Sequence, residues 1–346
     1  MRALTISENG GLEKLELRDN LPVPETGPGE VRVKVRAAAL NHLDLFVIAG
    51  LPGVKLQGPW VMGADATGAV DAIGHGVTGA PKIGQSVVVN PGISDGTCEY
   101  CRAGEQSLCV KFGILGEHLP GTLAEYVIVP AGNVRAIPKN IPAQTAAAFT
   151  LVTLTAWRML HTRAGLRSGE SVLIQGIGGG VAIAALQIAK QIGAETWVTS
   201  RSDAKLEAAR KLGADHLLNS TKVDVGKEIR AQTGKRGVDV VIDDVGKATW
   251  SSSLAALGRR GRMVCCGATS GPVVEMDARR LFWNQWDIMG STMGNDAEFA
   301  AVTAELVAGR LLPPIDSVFS LEQGRAAFAR LENPERFGKV VVRVTE

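Results

Sequence analysis

From residue 171 onward, short apolar runs alternate with helical stretches, and few folds accept that pattern. Residues 171–175 read as an apolar strand, and Gly176, Gly178, Gly179 and Gly180 follow it directly. Residues 181–192 then carry helical spacing, stopped by Gly193. Further strands are expected at 195–199, 214–219, 238–243 and 261–266, with helices at 203–212, 225–232 and 249–257 between them. Strands that alternate with helices predict an α/β fold built on a doubly wound parallel sheet.

The glycine cluster joins a strand to a helix, and that context makes it a candidate dinucleotide turn. Backbone there must pass close to a pyrophosphate, and the helix start offers free N–H groups and a positive dipole end. Gly176-x-Gly178 matches the start of the common fingerprint, but Val181 stands where its last glycine would fall. Gly176-x-x-Gly179-x-x-Ala182 fits as a variant. Cofactor choice is read at the end of the second strand, where NAD enzymes place a carboxylate for the ribose hydroxyls. This chain has Ser200-Arg201-Ser202 there, with Asp203 assigned to the next helix N-cap and Lys205 beyond it. A hydroxyl with a guanidinium suits a 2′-phosphate, because Arg binds phosphate through a charged fork. The expectation is NADP(H), against the alternative that Arg201 is a solvated surface charge.

The first part of the chain reads as β-structure punctuated by Gly and Pro. Residues 31–36 alternate apolar with charged, and 70–73, 86–90 and 124–129 are further short strands. Such spacing suggests a compact barrel or sandwich. Out of it runs a loop containing Asp95, Cys98, Cys101 and Cys109. Two Cys separated by two residues bite one tetrahedral metal, and a third Cys with a carboxylate completes four ligands. Four protein ligands leave no vacancy for substrate, so the pattern predicts one structural Zn²⁺. A redox Cys pair or unrelated thiols are the rivals, but a redox pair sits at a helix start beside a βαβ unit. Here Asn90-Pro91-Gly92 and Ala103-Gly104 flank the cluster with loop chemistry.

At 346 residues the chain has room for two domains. A net charge of +2 provides no basic footprint for nucleic acid, and no apolar run is long enough to span a bilayer. The first residues read as a strand and not a signal peptide, so with five Cys a reducing cytoplasm is expected. Cys265 and Cys266 fall in a buried strand, where Cys behaves as a small hydrophobe.

A zinc-bearing β-domain followed by this nucleotide fold resembles the medium-chain dehydrogenase/reductase superfamily, closest to zinc-containing alcohol dehydrogenases and quinone oxidoreductases. The likeness covers essentially the whole chain, including Gly63-Ala64-Asp65, the zinc loop, residues 147–157, the glycine turn and Phe337-Gly338-Lys339. It implies a Rossmann-type sheet over 149–292 and a GroES-like β-barrel catalytic domain over 1–148 and 293–346. The family's structural zinc uses four Cys, and Asp95 replaces the first. Its catalytic zinc uses a Cys where this chain has Asn41, a His-Glu pair where it has Ala64-Asp65, and a Cys near Leu151. An Asn, an Ala and a Leu are poor substitutes for two thiolates and an imidazole, so the catalytic zinc is read as absent.

The resemblance therefore implies hydride transfer between NADPH and an activated carbonyl (ketone, enone or quinone). Asn41 is the expected donor to the substrate oxygen, with Asp65 orienting it and Thr155 nearby. Alongside the residues of the glycine turn and Ser200-Arg201, it places His42, Lys205, Asn219 and Lys339 at the cofactor. Two alternatives stand: an alcohol dehydrogenase with a rearranged zinc site, and a nucleotide-binding subunit without catalysis. Relatives are usually dimers or tetramers joined through a sheet edge, with 261–266 and 287–292 as candidates for that edge.

Overall fold

The strand Glu30–Ala39 shows most directly how the first half folds. Val31, Val33 and Val35 are fully buried, while Lys34 and Arg36 face solvent. That period of two is what a strand buried on one face requires. In the computed structural model, which describes residues 1–56 and 58–345, this strand pairs antiparallel with Asp65–Ile73, Tyr126–Pro130 and Lys339–Arg343. It is the hub of a seven-stranded sheet, accompanied by the three-stranded sheet Glu16–Arg18, Ala3–Ile6 and Trp60–Val61. Val33, Leu40, Met62, Leu123, Phe328 and Val342 are among the buried residues of the core they share.

The chain divides into two compact units, Met1–Leu154 with Met293–Glu346, and Thr155–Thr292. The first boundary therefore falls after Leu154 and not at 148, inside the helix Thr150–Trp157. A helical pattern continuous through 151–161 conceals such a boundary, because periodicity marks an element and not the unit that it packs into. A π-helical stretch, Arg158–Arg163, follows that helix directly.

The second unit contains one six-stranded parallel sheet. Its order is His216–Asn219, Glu195–Ser200, Ser171–Ile174, Val238–Asp243, Leu257–Cys265, Asp287–Gly290. The helices Gly180–Ile192, Asp203–Lys211, Val225–Gln232 and Lys247–Ala256 are the crossovers. The order reverses between Ser171–Ile174 and Val238–Asp243, the switch point at which ligands of open α/β sheets bind. Of the two segments expected at the edge, only Asp287–Gly290 lies there. Leu257–Cys265 is interior, paired on both sides, as its buried Met263 and Val264 require.

Among the elements not read from the sequence are the helices His42–Ala49 and Gly324–Glu332 and the strand Ile315–Ser320. Each helix start carries an N-terminal signal, Asn41…Asp44 in one and Ser320…Gln323 in the short turn before the other. Among the described residues, no helix is long and apolar enough to cross a membrane.

Candidate active site and metal centre

The turn Gly63-Ala64-Asp65 is held by close backbone packing. Gly63 has φ +93°, and a Cβ on Gly121 would lie 2.3 Å from Gly63 O. Thr122 N donates to Gly63 O at 3.0 Å, and Thr122 Oγ1 to Asp65 O at 2.9 Å. These bonds fix where the Asp65 carboxylate starts. The side chain is fully buried, and both of its oxygens are met. Oδ1 accepts from Leu151 N at 2.8 Å, and Oδ2 accepts from Asn41 Nδ2 at 3.0 Å. Lys339 Nζ completes the set, 3.1 Å from Asp65 Oδ2 and 2.5 Å from Asn41 Oδ1.

Three of the four positions named for a catalytic metal, Asn41, Asp65 and Leu151, thus converge on one carboxylate. Two of the four side chains, Ala64 and Leu151, offer no donor atom. Lys339 stands in the same cluster, its ammonium almost wholly buried. Burial lowers the lysine's pKa, and the Asp65 charge opposes that shift. The neighbours also settle which way the Asn41 amide points. Lysine only donates and a carboxylate only accepts, so Oδ1 must face Lys339 and Nδ2 must face Asp65.

Asn41 occupies the N-cap of His42–Ala49 and forms a capping box with Asp44. Asn41 N donates to Asp44 Oδ2 at 2.7 Å. Asp44 is 1% exposed. Burial pushes its pKa up to about 7, against the Asn41 amide and the Lys339 charge, which pull it down. The spacing of Asp44 from Asn41 is that of a capping box. His42, the first helical residue, packs edge-on against Phe46 at 5.7 Å. Partial burial and then the charge of Arg336 hold its imidazole below the ordinary pKa.

In the second unit, Gly176 and Gly178 have φ +68° and +126°, a backbone that side chains rarely adopt. Gly179 is the N-cap of Gly180–Ile192 and would carry a Cβ into open space. The turn is anchored from below. Thr199 Oγ1 accepts from Gly176 N at 3.0 Å and donates to Gln175 Oε1 at 2.7 Å. Gln175 continues to Ser253, and Ser253 Oγ to Asp243 at 2.7 Å. Asp243, a residue the sequence reading did not single out, also accepts from Val245 N and Gly246 N. Lys205 lies across the turn, its Nζ 3.1 Å from where a Cβ of Gly178 would be.

At the end of the second strand, Ser200 is buried and Arg201 is exposed. Ser202, not Asp203, takes the N-cap position. Asp203 is instead drawn to the third strand: its carboxylate accepts from Asn219 Nδ2 at 2.7 Å and pairs with Lys222 Nζ at 2.6 Å. The bond from Asn219, with Lys222 second, holds its pKa low. Asn219 Oδ1 is likewise taken, by Thr221 at 2.7 Å. Arg201 makes no side-chain hydrogen bond or ion pair among the described residues. Thr155 opens the second unit and is 5% exposed.

The cysteine loop is pinned at its base by antiparallel pairing of Gly92–Ile93 with Gly113–Ile114. Within it, one ligand atom from each of Asp95, Cys98, Cys101 and Cys109 lies within 4.8 Å of the others. Backbone amides point at the donors: Asp95 N and Lys111 N lie 3.3 and 3.4 Å from Cys109 Sγ. Amides of Cys101 and Val110 lower the Cys98 thiol to about 7, while burial raises Cys101 to about 11. Thr97 N and Cys98 N hold the Asp95 carboxylate below its usual range. Preorganised thiolate and carboxylate donors fit a closed tetrahedral zinc. Among the described residues this is the one such cluster.

Two predictions follow from these geometries. Asp44 has an ordinary pKa of 3.8 that folding raises to about 7, so the unfolded chain loses its proton first as pH rises. Its contribution should cost the fold about 3 kcal/mol between pH 4 and pH 7. Asp44→Asn keeps an acceptor for Asn41 N, so it should be the more stable form at pH 8 and differ little at pH 4. Urea midpoints of both proteins across that range measure this, and parallel curves would refute it. Separately, the native protein should contain about one zinc per chain. Cys98→Ser should lose most of it and unfold at a lower temperature, as metal analysis and calorimetry would show.

Residues 27–139 match the alcohol dehydrogenase GroES-like domain, and 180–308 match the zinc-binding dehydrogenase family. An NAD-dependent alcohol dehydrogenase of Sulfolobus acidocaldarius is 35% identical over 100% of both chains. An acryloyl-coenzyme A reductase of Metallosphaera sedula is 33% identical over 99% of both. The crystal structure of an NAD-dependent alcohol dehydrogenase superposes with a TM-score of 0.93 at 44% identity, covering 99% of this chain and 100% of that one. The fold, the two matched domains and the full-length relatives together make this chain an oxidoreductase of the alcohol dehydrogenase family, in the medium-chain dehydrogenase/reductase superfamily.

Proposed function

We propose that the protein is an NADP(H)-dependent oxidoreductase that reduces or forms an activated carbonyl compound (a ketone, enone or quinone) without a catalytic zinc. The observation that carries this reading is the buried Asn41–Asp65–Lys339 cluster. Where the family keeps metal donors, this chain has two aliphatic side chains, an amide and a carboxylate already paired with an ammonium. Those residues do not fit a catalytic zinc, which would have to displace Lys339 from Asp65.

A bound nicotinamide dinucleotide supplies the hydride. The chain's own task is then to bind that group and to stabilise charge on the substrate oxygen. Asn41 has a donor for this. One Nδ2 hydrogen goes to Asp65 at 3.0 Å, and the other has only Ala39 O at 3.4 Å, beyond a good bond length. Thr155 is the second hydroxyl donor in this reading. Amide and hydroxyl donors polarise a carbonyl less than a metal does, so substrates already activated are favoured over simple alcohols. The Metallosphaera sedula relative is named for an acryloyl thioester, an alkene activated in the same sense.

For the cofactor, Gly176 to Gly180 and Val181 receive the pyrophosphate, with His42, Lys205 and Asn219 as further contacts. Arg201 supports NADP(H): it is exposed and unpaired among the described residues, and the carboxylate two residues on, Asp203, is held by Asn219 and Lys222. Asp95, Cys98, Cys101 and Cys109 would hold a structural zinc that ties down its loop. Five free thiols suit a reducing cytoplasm. The edge strand Asp287–Gly290, beside exposed Phe282 and Trp283, suits pairing with a second copy in a homo-oligomer.

Dissociation constants for NADPH and NADH in the native protein and in Arg201→Ala test the cofactor. NADPH should bind more tightly, and the substitution should remove roughly 1.5–3 kcal/mol of that preference. Equal native affinities would overturn the assignment. Steady-state rates with a panel of enones, quinones, aryl ketones and ethanol test the reaction. The activated compounds should react and ethanol should react poorly, and Asn41→Ala should depress turnover by about 10²-fold or more. Rapid ethanol oxidation by protein with one zinc per chain would refute the mechanism.

A further inference from the structure

The function just proposed leaves unexplained why a lysine is buried with Asn41. Lys339 sits at the start of the strand Lys339–Arg343, which pairs with Glu30–Ala39 beside Asn41. Its backbone is fixed by Lys339 N donating to Pro314 O at 3.0 Å. Gly338, at φ +101°, is packed so closely that a Cβ there would lie 2.4 Å from Pro314 O. The chain therefore delivers this side chain from a rigid turn. Among the described residues, its ammonium bonds only to Asn41 Oδ1 and Asp65 Oδ2.

We propose that Lys339 is a positioning residue for hydride transfer: its ammonium orients and polarises the Asn41 amide, supplying from inside the protein the positive charge that the site lacks without a metal. The proposal rests on the reading of Asn41 as the substrate donor. A cation on Oδ1 withdraws electron density through the planar amide, so the Nδ2 hydrogens become stronger donors. Asp65 takes one of them and fixes the plane, leaving the second as the stronger donor to a developing negative oxygen. The same bonds prevent an amide flip, which would set Nδ2 against an ammonium and Oδ1 against a carboxylate, two repulsive contacts. Lys339 acts through Asn41, whereas a lysine that contacts the dinucleotide directly would act on cofactor affinity.

Lys339→Met and Lys339→Gln separate these roles. Gln keeps a neutral donor that can reach Asn41, and Met keeps only the stem. With an activated carbonyl and NADPH, Met should lower kcat by about 10–100-fold, with Gln intermediate. The NADPH dissociation constant should change by less than about twofold, and a primary deuterium isotope effect should confirm that the hydride step was slowed. A folded Lys339→Met protein with native kcat would overturn the proposal. So would a variant of native kcat that binds NADPH weakly, because that is a cofactor contact. Should Met fail to fold because Asp65 is left unpaired, the Gln protein carries the test. A native protein inert toward every carbonyl and quinone would refute the functional reading itself. A second measurement stands apart from activity: with ¹⁵N-asparagine labelling, the Asn41 side-chain amide should exchange slowly in the native protein and faster in Lys339→Gln. Fast exchange in the native protein would show that the network does not hold Asn41, and would overturn the proposal alone.

Discussion

Asp65 is a carboxylate placed where water does not reach, and the first unit is organised around satisfying it. An unpaired charge in such a place costs several kcal/mol, and the penalty is offset only if every lone pair finds a donor. The donors come from four separate parts of the chain: the Leu151 amide at a helix start, the Asn41 amide at another, the Lys339 ammonium from the C-terminal strand, and the Thr122 hydroxyl on the same residue's carbonyl. Residues 24, 86 and 274 positions from Asp65 in sequence are thereby bound to one point. The antiparallel pairing of Lys339–Arg343 with Glu30–Ala39 is the backbone counterpart of this arrangement. Without that return of the chain, the carboxylate would have no cation.

The parallel sheet was legible in the sequence because each of its strands is a short apolar run bounded by Gly or charge, and each crossover is long enough to show a helical period. Gly193 and Gly213, both at positive φ, stop their helices where the sequence reading stopped them. The four metal donors were legible for a different reason. Their spacing is local, so one loop contains the whole site. Resemblance, and not periodicity, drew attention to Asn41 and Asp65, and to Lys339 only as a cofactor contact. Its bonds to both are tertiary, and nothing in the residues 337–339 announces them. Asp44 was missed because a buried acid and a solvated one look alike in sequence. The strand Ile315–Ser320 was missed because its residues are half-buried and its polar positions weaken the alternation.

The misplacement of Asp203 has a similar cause. An acid just after a strand and before a helix reads as an N-cap, the commonest local use of such a residue. In the structure the third strand brings Asn219 and Lys222 within bonding distance, and a carboxylate with an ammonium and an amide available goes to them. Local propensity lost to bonds with residues 16 and 19 positions further along the chain. The consequence reaches beyond the cap. An Asp203 free to turn toward the strand end would compete with any phosphate for Arg201, and its engagement elsewhere keeps that guanidinium unpaired.

The two charge arrangements in this chain solve opposite problems. In the cysteine loop, amides of Cys101 and Val110 favour the charged form of Cys98, and those of Thr97 and Cys98 favour that of Asp95, in advance of a cation. Around Asp65 the cation is part of the chain, and its charge is neutralised before any ligand arrives. The first fits a metal because its donors are preorganised and their charge is uncompensated. The second has no such vacancy, since a divalent ion would have to break an ion pair buried on both sides and leave an ammonium stranded. The two clusters thus place separate electrostatic demands on the chain: one offers uncompensated donors to a cation, and the other carries its own.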